Sequence, residues 1–493
     1  MTDFDSMQNM QGLERVGIPS SLITGDRPAA VEAKKMYHVA PAENRNNNPG
    51  ATMRFTLPCQ ANTYLMPNVT LNVGVKFVDE LNTLTTNQEK FVNFDGGASS
   101  IIDRIRIFHG SQLLEDIQEY SRIRKLVTDI TQDPANTGTI GNLLQGEAPG
   151  SEPQARIISA CPPAPNQASA NVLLQALQTL NQIPTPRACE YNGSNADNST
   201  FTNGETHNFV ISLMSGVIGS MCQKAFPAHA CTGSPLRVEI DLASRDKAIV
   251  SSIVPTVRPG WSLVDCELHA TYVQVSSNAQ ALIDQATGGV YGLNTYTYTH
   301  AQQTLDAAAS SSTILLPFAY SSLKHVVSGI YTGTPGIRDY NISGRHRDFI
   351  TSVHWQIGAA RVPSQPLQGI EEIIAGALEC YGVSSDLLQI CNHIDHHLGL
   401  TNVTGTAGVT QTLDGGTINH TPDIGKFCLG LDAEAFGATS SATRIENGIN
   451  TTAIQMYVVV SASEAYGFAH ELHTWGQYDM LVSCQNGQAY ARF

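Results

Sequence analysis

The segment FDGGASSIIDRIRIFHGSQLLEDIQEYSRIRKLVTD, residues 94–129, holds two backbone patterns in succession. Ile105 and Ile107 alternate with Arg104, Arg106 and Phe108, the period of two expected of a strand with one buried face, and His109-Gly110 supplies a turn. From there the period changes. Leu113, Ile117, Tyr120, Ile123, Val127 and Ile130 recur at helical spacing, with Glu115, Glu119, Arg122 and Lys125 on the opposite side. The spacing predicts a helix from Leu113 to Ile130 whose single apolar stripe packs on the edge of a sheet.

Outward from this segment the chain reads as strands. Met53, Phe55 and Leu57 alternate with polar neighbours, as do Val69, Leu71, Val73, Val75 and Phe77. PLRVEIDL, residues 235–242, is the cleanest alternation, and residues 263–276 continue the pattern with a phase slip near Tyr272 and Val273 that reads as a bulge. Residues 278–289 read as a short helix ending at glycines. The second half repeats the style in short segments such as STILLPFAY and FITSVHWQIGA, interrupted by a helical GIEEIIAGALECYG at 369–382. Many short strands joined by turn-rich loops place the chain in the all-β class, as two sandwiches in tandem with short helices and long loops.

The expected organisation is a polar N-terminal arm over residues 1–50, closed by the breaker cluster ENRNNNPG, then a first sandwich over 51–277. That sandwich carries a long excursion at 131–205, rich in Pro, Gly, Asn and Ser, with one short helix expected at 170–182. A linker helix and turn follow at 278–293, and a second sandwich at 294–493. At 493 residues, two core-bearing units are the expected solution.

Composition narrows the function. Hydrophobic residues make up 42% and charged residues 14%, as in a folded globular protein. The balance of 28 basic against 43 acidic residues, with no Lys/Arg block, argues against coating nucleic acid by counterion release, so the expected partners are proteins. No secretory leader is expected at the N-terminus, and the apolar run at 209–222 is too short to span a bilayer, so no transmembrane segment is expected. The ten cysteines form no C-x-x-C pair and read as reduced, structural thiols. Seven N-x-[ST] sequons, Asn341 among them, are about what a chain this rich in Asn, Ser and Thr carries by chance.

Catalytic signatures are weak. CNHIDHHLGL at 391–400 would place His393, Asp395 and His397 on one face of a strand, the only candidate metal ligands; a polar strand or loop whose histidines bond their neighbours is the commoner arrangement. HELH at 470–473 spaces its histidines by three where a zinc-binding helix needs four, and its flanks are strand-like. No phosphate-binding loop, Rossmann fingerprint or G-x-S-x-G elbow is present. Glu371-Glu372 belongs on a helix surface, and Trp355 and Trp475 are more plausible in a core than along a sugar cleft. No catalytic residue and no cofactor is therefore assigned, and the chain is not expected to be an enzyme. A glycan-binding or carbohydrate-active β-sandwich is the alternative.

Two stretches carry a resemblance. Residues 96–129, with Gly97, Ser99, Gly110 and Tyr120 at the turn, strand and helix positions, resemble a segment of double jelly-roll major capsid proteins, especially those of Polinton-like viruses and virophages. FVISLMSGVIGSMCQKAFPAHACTGSPLRVEIDL, residues 209–242, is similar to the end of the first jelly roll in the same family. The resemblance implies two eight-stranded jelly rolls side by side, a homotrimer forming a pseudo-hexameric capsomer, and an icosahedral shell shared with neighbouring capsomers and with penton and minor capsid proteins. It implies a place in the virion after synthesis in the host cytoplasm or nucleus. It also implies an arm that lies under adjacent capsomers. The 131–205 excursion departs from the family pattern.

Overall fold

The computed structural model describes residues 33–43, 47–79, 92–131, 141–146, 206–222, 224–251, 259–333, 341–346, 350–382, 410–413, 416–419, 424–425, 427–434, 448–463 and 470–493. Among the described residues of the first half, eight strands build two main sheets: β1 (Ala33–Pro41), β2 (Thr52–Leu57), β3 (Thr70–Asp79), β4 (Ile102–His109), β5 (Gln112–Gln118), β6 (Thr206–Ser212), β7 (Leu236–Leu242) and β8 (Pro259–Val275); the short strands Thr63–Leu65, Val92–Phe94 and Ile249–Ser251 accompany them. The two main sheets are antiparallel, ordered β1-β8-β3-β6 and β2-β7-β4-β5. Period two puts Met53, Phe55 and Leu57 of β2 and Val238 and Ile240 of β7 on the inner face, where they are fully buried against Leu71, Val73 and Val75 of β3.

The second half supplies β9 (Tyr291–Leu305), β10 (Ser311–Leu316), β11 (Leu323–Thr332), β12 (Ile350–Ile357), β13 (Ala360–Gln368), β14 (Leu429–Asp432), β15 (Met456–Ala462) and β16 (His470–Gln485). The long strands pair in the orders β9-β16-β11-β14 and β10-β15-β12-β13, repeating the first half's order, and the short strands Arg345–His346 and Ile424–Gly425 extend the first sheet beside β11. Both halves are thus the same jelly roll, although the sequence shows no repeat between them. A final strand, β17 (Gln488–Arg492), folds back on β16 through Asn486 and Gly487, both at positive φ, the geometry of a tight two-residue hairpin. Trp355 lies at the centre of the second core with Val353, Val458 and Met456.

Among the described residues three helices of more than two turns accompany the strands: α1 (Tyr120–Thr131), α2 (Ser277–Thr287) and α3 (Gly369–Glu379). Helix α2 joins β8 to β9. Its N-cap Ser276 accepts from the amide of Ala279, and its C-cap Gly288 takes the left-handed conformation at φ 65°.

The structure corrects four local expectations. Residues 112–118 are strand β5, not the first turns of a helix: Leu114 and Ile117 point inward, Leu113 is 44% exposed, and the β4–β5 pairing runs from Arg104↔Gln118 to His109↔Gln112. The match of Leu113 with Ile117 to helical spacing was coincidental, and the helix starts after Glu119, whose φ of 52° turns the chain out of the sheet. Residues 33–41, expected in the arm, are β1, paired along its whole length with β8. The bulge in β8 lies between Val264 and Glu267, with Asp265 at φ 51°, rather than at Tyr272 and Val273. The charged side of α1, expected to face solvent, is buried.

Candidate functional site

Helix α1 is buried almost all round. Tyr120, Ile123, Leu126 and Ile130 fill the first core, while Arg122 and Asp129 reach residues of the second jelly roll. Ions this deep persist only when paired. One Asp129 oxygen takes Lys125 Nζ of the same helix at 2.8 Å, and the other takes Arg345 Nη2 from the second half at 2.9 Å. Arg345 is fully buried and also donates through Nε to the carbonyl of Phe427 at 2.9 Å. Burial opposes its charge, but Asp129 outweighs that and holds the guanidinium above its ordinary pKa. Gly329 leaves the room it needs, since a Cβ there would sit 2.9 Å from Arg345 Cδ.

Arg122 reaches further across. Its Nε donates to the carbonyl of Asn341 at 2.9 Å, its guanidinium lies 4.5 Å from the centre of the Tyr331 ring, and Nη1 donates to His473 Nε2 at 2.7 Å. A guanidinium can only donate, so His473 Nε2 accepts, its proton sits on Nδ1, and that N–H faces His300 Nε2 at 3.0 Å. Burial, reinforced by Arg122, holds His473 far below the usual histidine range, and burial holds His300 at about 4. Glu119 closes the cluster, accepting from Lys247 Nζ at 2.6 Å and lying 3.3 Å from Arg122. Burial alone would raise its pKa; Arg122 and Lys247 overcome this and bring it to about 2.

Two further carboxylates reach across the seam, Asp95 to backbone amides and Glu115 to a hydroxyl. Asp95 accepts from the amides of Ile342 at 2.6 Å and Ser343 at 3.1 Å, and from the Ser343 hydroxyl. Glu115, 2% exposed, accepts from the Gly216 amide and from the Thr297 hydroxyl of β9, each at 2.7 Å, and from the Ser215 hydroxyl. These donors are all neutral, and burial raises its pKa. Gly216 is where the loop after β6 touches β9: a Cβ there would stand 2.3 Å from the carbonyl oxygen of Tyr296. Replacing Gly216 by alanine should therefore destabilise the chain by about 1–3 kcal/mol, the usual cost of forcing a methyl into a packed interior, read as a lower Tm. An unchanged Tm would show that the loop can withdraw freely.

At the far end of the seam the β16–β17 hairpin rests on the turn at 228–233. Gly233 N donates to Gly487 O at 2.9 Å and Gly487 N to Ala230 O at 3.0 Å. His109 bridges the two, its Nδ1 accepting from Ala489 N at 3.3 Å, which leaves Nε2–H to donate to Cys231 O at 2.9 Å. The first apolar core runs on through this region to Trp475, Met480, Val482 and Cys484. The two jelly rolls are thus joined by an apolar core that encloses satisfied ions, and the arrangement fixes their mutual orientation.

Other sequence candidates fall as follows. His393, Asp395 and His397, the 170–182 helix and most of the 131–205 excursion lie outside the described residues. Among the described residues no group of three or more His, Cys, Asp or Glu side chains is placed to hold an ion, and no helix is long and apolar enough to cross a membrane. HELH opens β16. Trp355 and Trp475 are fully buried and line no cleft; Trp475 Nε1 donates to Gln118 O at 3.3 Å. Glu371 and Glu372 sit in the first turn of α3, where Glu372 accepts from the amide of Gln368. The sequon at Asn341 is fully buried. Sequence reasoning missed Asp95, Glu115, Asp129, Arg345 and His473 as seam residues. The one available signal was a charged residue inside an otherwise apolar strand or helix stripe.

No protein-family model matches the chain, and no curated protein matches it. Solved structures do. The VP54 protein of PBCV-1, as fitted into a cryo-electron reconstruction of the virophage Sputnik, is similar at 10% identity with a TM-score of 0.53, over 96% of this chain and 99% of that one. The Sputnik virophage structure is similar at 12% identity and 0.53, over 97% and 92%. A quasi-atomic capsid structure of PBCV-1 follows at 9% identity and 0.50, over 96% and 99%. At such identities the likeness is one of fold, and the chain has the double jelly-roll fold of these virus capsid chains.

Proposed function

We propose that this chain is a viral major capsid protein, with a structural rather than a catalytic role, and that three copies close into a pseudo-hexameric capsomer that tiles an icosahedral shell. The observation that carries the reading is the duplication: two jelly rolls of one strand order, joined by a buried ionic seam, give a rigid block whose threefold repetition presents six equivalent barrels. Its location would then be the virion, beside neighbouring capsomers, penton and minor capsid proteins. The acidic balance of 28 basic to 43 acidic residues suits a shell built of protein contacts.

Edge strands favour the same reading. β1 pairs with β8 on one side and ends its sheet, yet it carries Tyr37 at 77% and Val39 at 45% exposure, apolar groups on the kind of open edge that monomers usually blunt. A neighbouring copy covering that edge would satisfy both. The glycan-binding alternative loses its aromatic platform, because Trp355 and Trp475 are core residues.

The test is solution mass by light scattering, with negative-stain microscopy of the same peak. Three chains per particle and a six-lobed outline are expected. A stable monomer at micromolar concentration would overturn the capsomer reading.

A further inference from the structure

Three thiols converge where the C-terminal hairpin meets the first jelly roll, and nothing in the assembly reading uses them. Cys231 closes the 3-10 turn Ala228–Cys231 of the first half, and Cys484 is the penultimate residue of β16 in the second. Both are fully buried and free, and Cys484 pairs across its hairpin with Ala489, one His109 ring away from the Cys231 carbonyl. The backbones on either side are pinned by the Gly233–Gly487 and Gly487–Ala230 hydrogen bonds and by the His109 bridge between Cys231 O and Ala489 N. The approach depends on glycine: a Cβ on Gly233 would lie 2.6 Å from Gly487 O. Cys59, half-buried, completes the group.

We propose that Cys231 and Cys484 form an oxidation site, in which a disulfide ties the first jelly roll covalently to the last long strand of the second. The oxidant is a low-molecular-weight disulfide such as oxidised glutathione. One cysteine thiolate attacks it, forming a mixed disulfide and releasing one glutathione thiol. The second cysteine then attacks the mixed disulfide, forming the Cys231–Cys484 bond and releasing the second glutathione thiol. Two cysteine thiols are oxidised, one glutathione disulfide is reduced, and the two cysteine protons end on the departing thiols. The adjoining Cys484 thiol, with burial, raises the Cys231 thiol above its ordinary pKa, so thiolate is scarce in the closed state and exchange is slow until the hairpin lifts. Once made, the link spans the whole second jelly roll in sequence, the long-loop case in which a cross-link most restricts the unfolded chain. Being intramolecular, it stands independently of the assembly proposal.

The full chain is incubated with oxidised glutathione at mild alkaline pH, with and without low urea to loosen the hairpin. It is then alkylated and mapped without reduction. The expected result is a chain lighter by two hydrogen atoms, with the peptide holding Cys231 joined to the peptide holding Cys484. The oxidised form should melt several degrees higher, a gain that dithiothreitol reverses. Cys484→Ser should abolish the link and Cys59→Ser should keep it. A link through Cys59 in its place, or no loss of these two thiols even in low urea, would overturn the proposal.

Discussion

Replacing Asp129 by alanine should cost the folded chain about 3–5 kcal/mol, the range for breaking a buried ion pair from one side. The loss follows from what remains: Lys125, 4% exposed, and Arg345, fully buried, would face each other without the carboxylate that separates them. Water cannot replace it without opening the seam. Arg345→Met in the same chain should recover much of the loss, because the uncompensated charge leaves with it, so the two changes together should cost less than their sum. Surface ion pairs give the contrast. Arg54 pairs with Glu239 at 3.2 Å on the outer face of β2, but its side chain is 56% exposed, and Arg54→Ala should cost less than about 1 kcal/mol. Urea midpoints of Asp129→Ala, Arg345→Met, the double variant and Arg54→Ala, each against the unaltered chain, measure this. An Asp129→Ala cost below that of Arg54→Ala would mean that the seam is wet and the pair dispensable.

The strands were legible because each had one wet face. β7 reads Leu236, Val238, Ile240 and Leu242 inward, and β2 reads Met53, Phe55 and Leu57 inward, so period two placed them correctly. The seam was hidden because its elements have two buried faces, one of them polar. In β16 every residue from Leu472 to Tyr478 is buried. Leu472 and Tyr478 belong to the second core, whereas His473 and Trp475 belong to the seam, and a strand buried twice by unlike neighbours shows no alternation. Glu115, Arg122 and Lys125 read as the wet side of a helix because charge ordinarily marks solvent. The hydrogen-bond partners of Glu115, and those of Arg122 in the second half, lie between 100 and 351 residues away, a separation that no local pattern encodes. The metal candidates His393, Asp395 and His397 fall outside the described residues.

Acid should open the same seam between about pH 6.5 and pH 4, the interval bounded by the ordinary histidine value and the value for His300. His300 and His473 are held neutral in the fold, with pKa values below those they have when unfolded. The unfolded chain therefore binds protons first, and stability falls as pH drops below 6.5 until the folded values are reached. For His300 alone the difference is on the order of 3 kcal/mol. His325 and His346, buried and brought to about 3, act in the same direction. Glu119 adds its share lower still: with a folded pKa of about 2, its contribution is present above the ordinary carboxylate range and is lost as pH falls toward 2. Glu115 opposes them, because its raised pKa makes its contribution greatest in acid, but it is one group against several. Against a total stability of about 5–15 kcal/mol, histidines that all act in one direction should weaken the fold substantially by pH 4. The chain carries three tryptophans, Trp261 in the first core, Trp355 in the second and Trp475 in the seam, where its ring centre lies 6.0 Å from that of His473. A chain with Trp261→Phe and Trp355→Phe leaves Trp475 as the reporter, and its emission should change cooperatively within this window. His473→Gln, which can still accept from Arg122 without binding a proton, should move the midpoint to lower pH. Emission constant down to pH 4 would show that the neutral histidines place no strain on the seam.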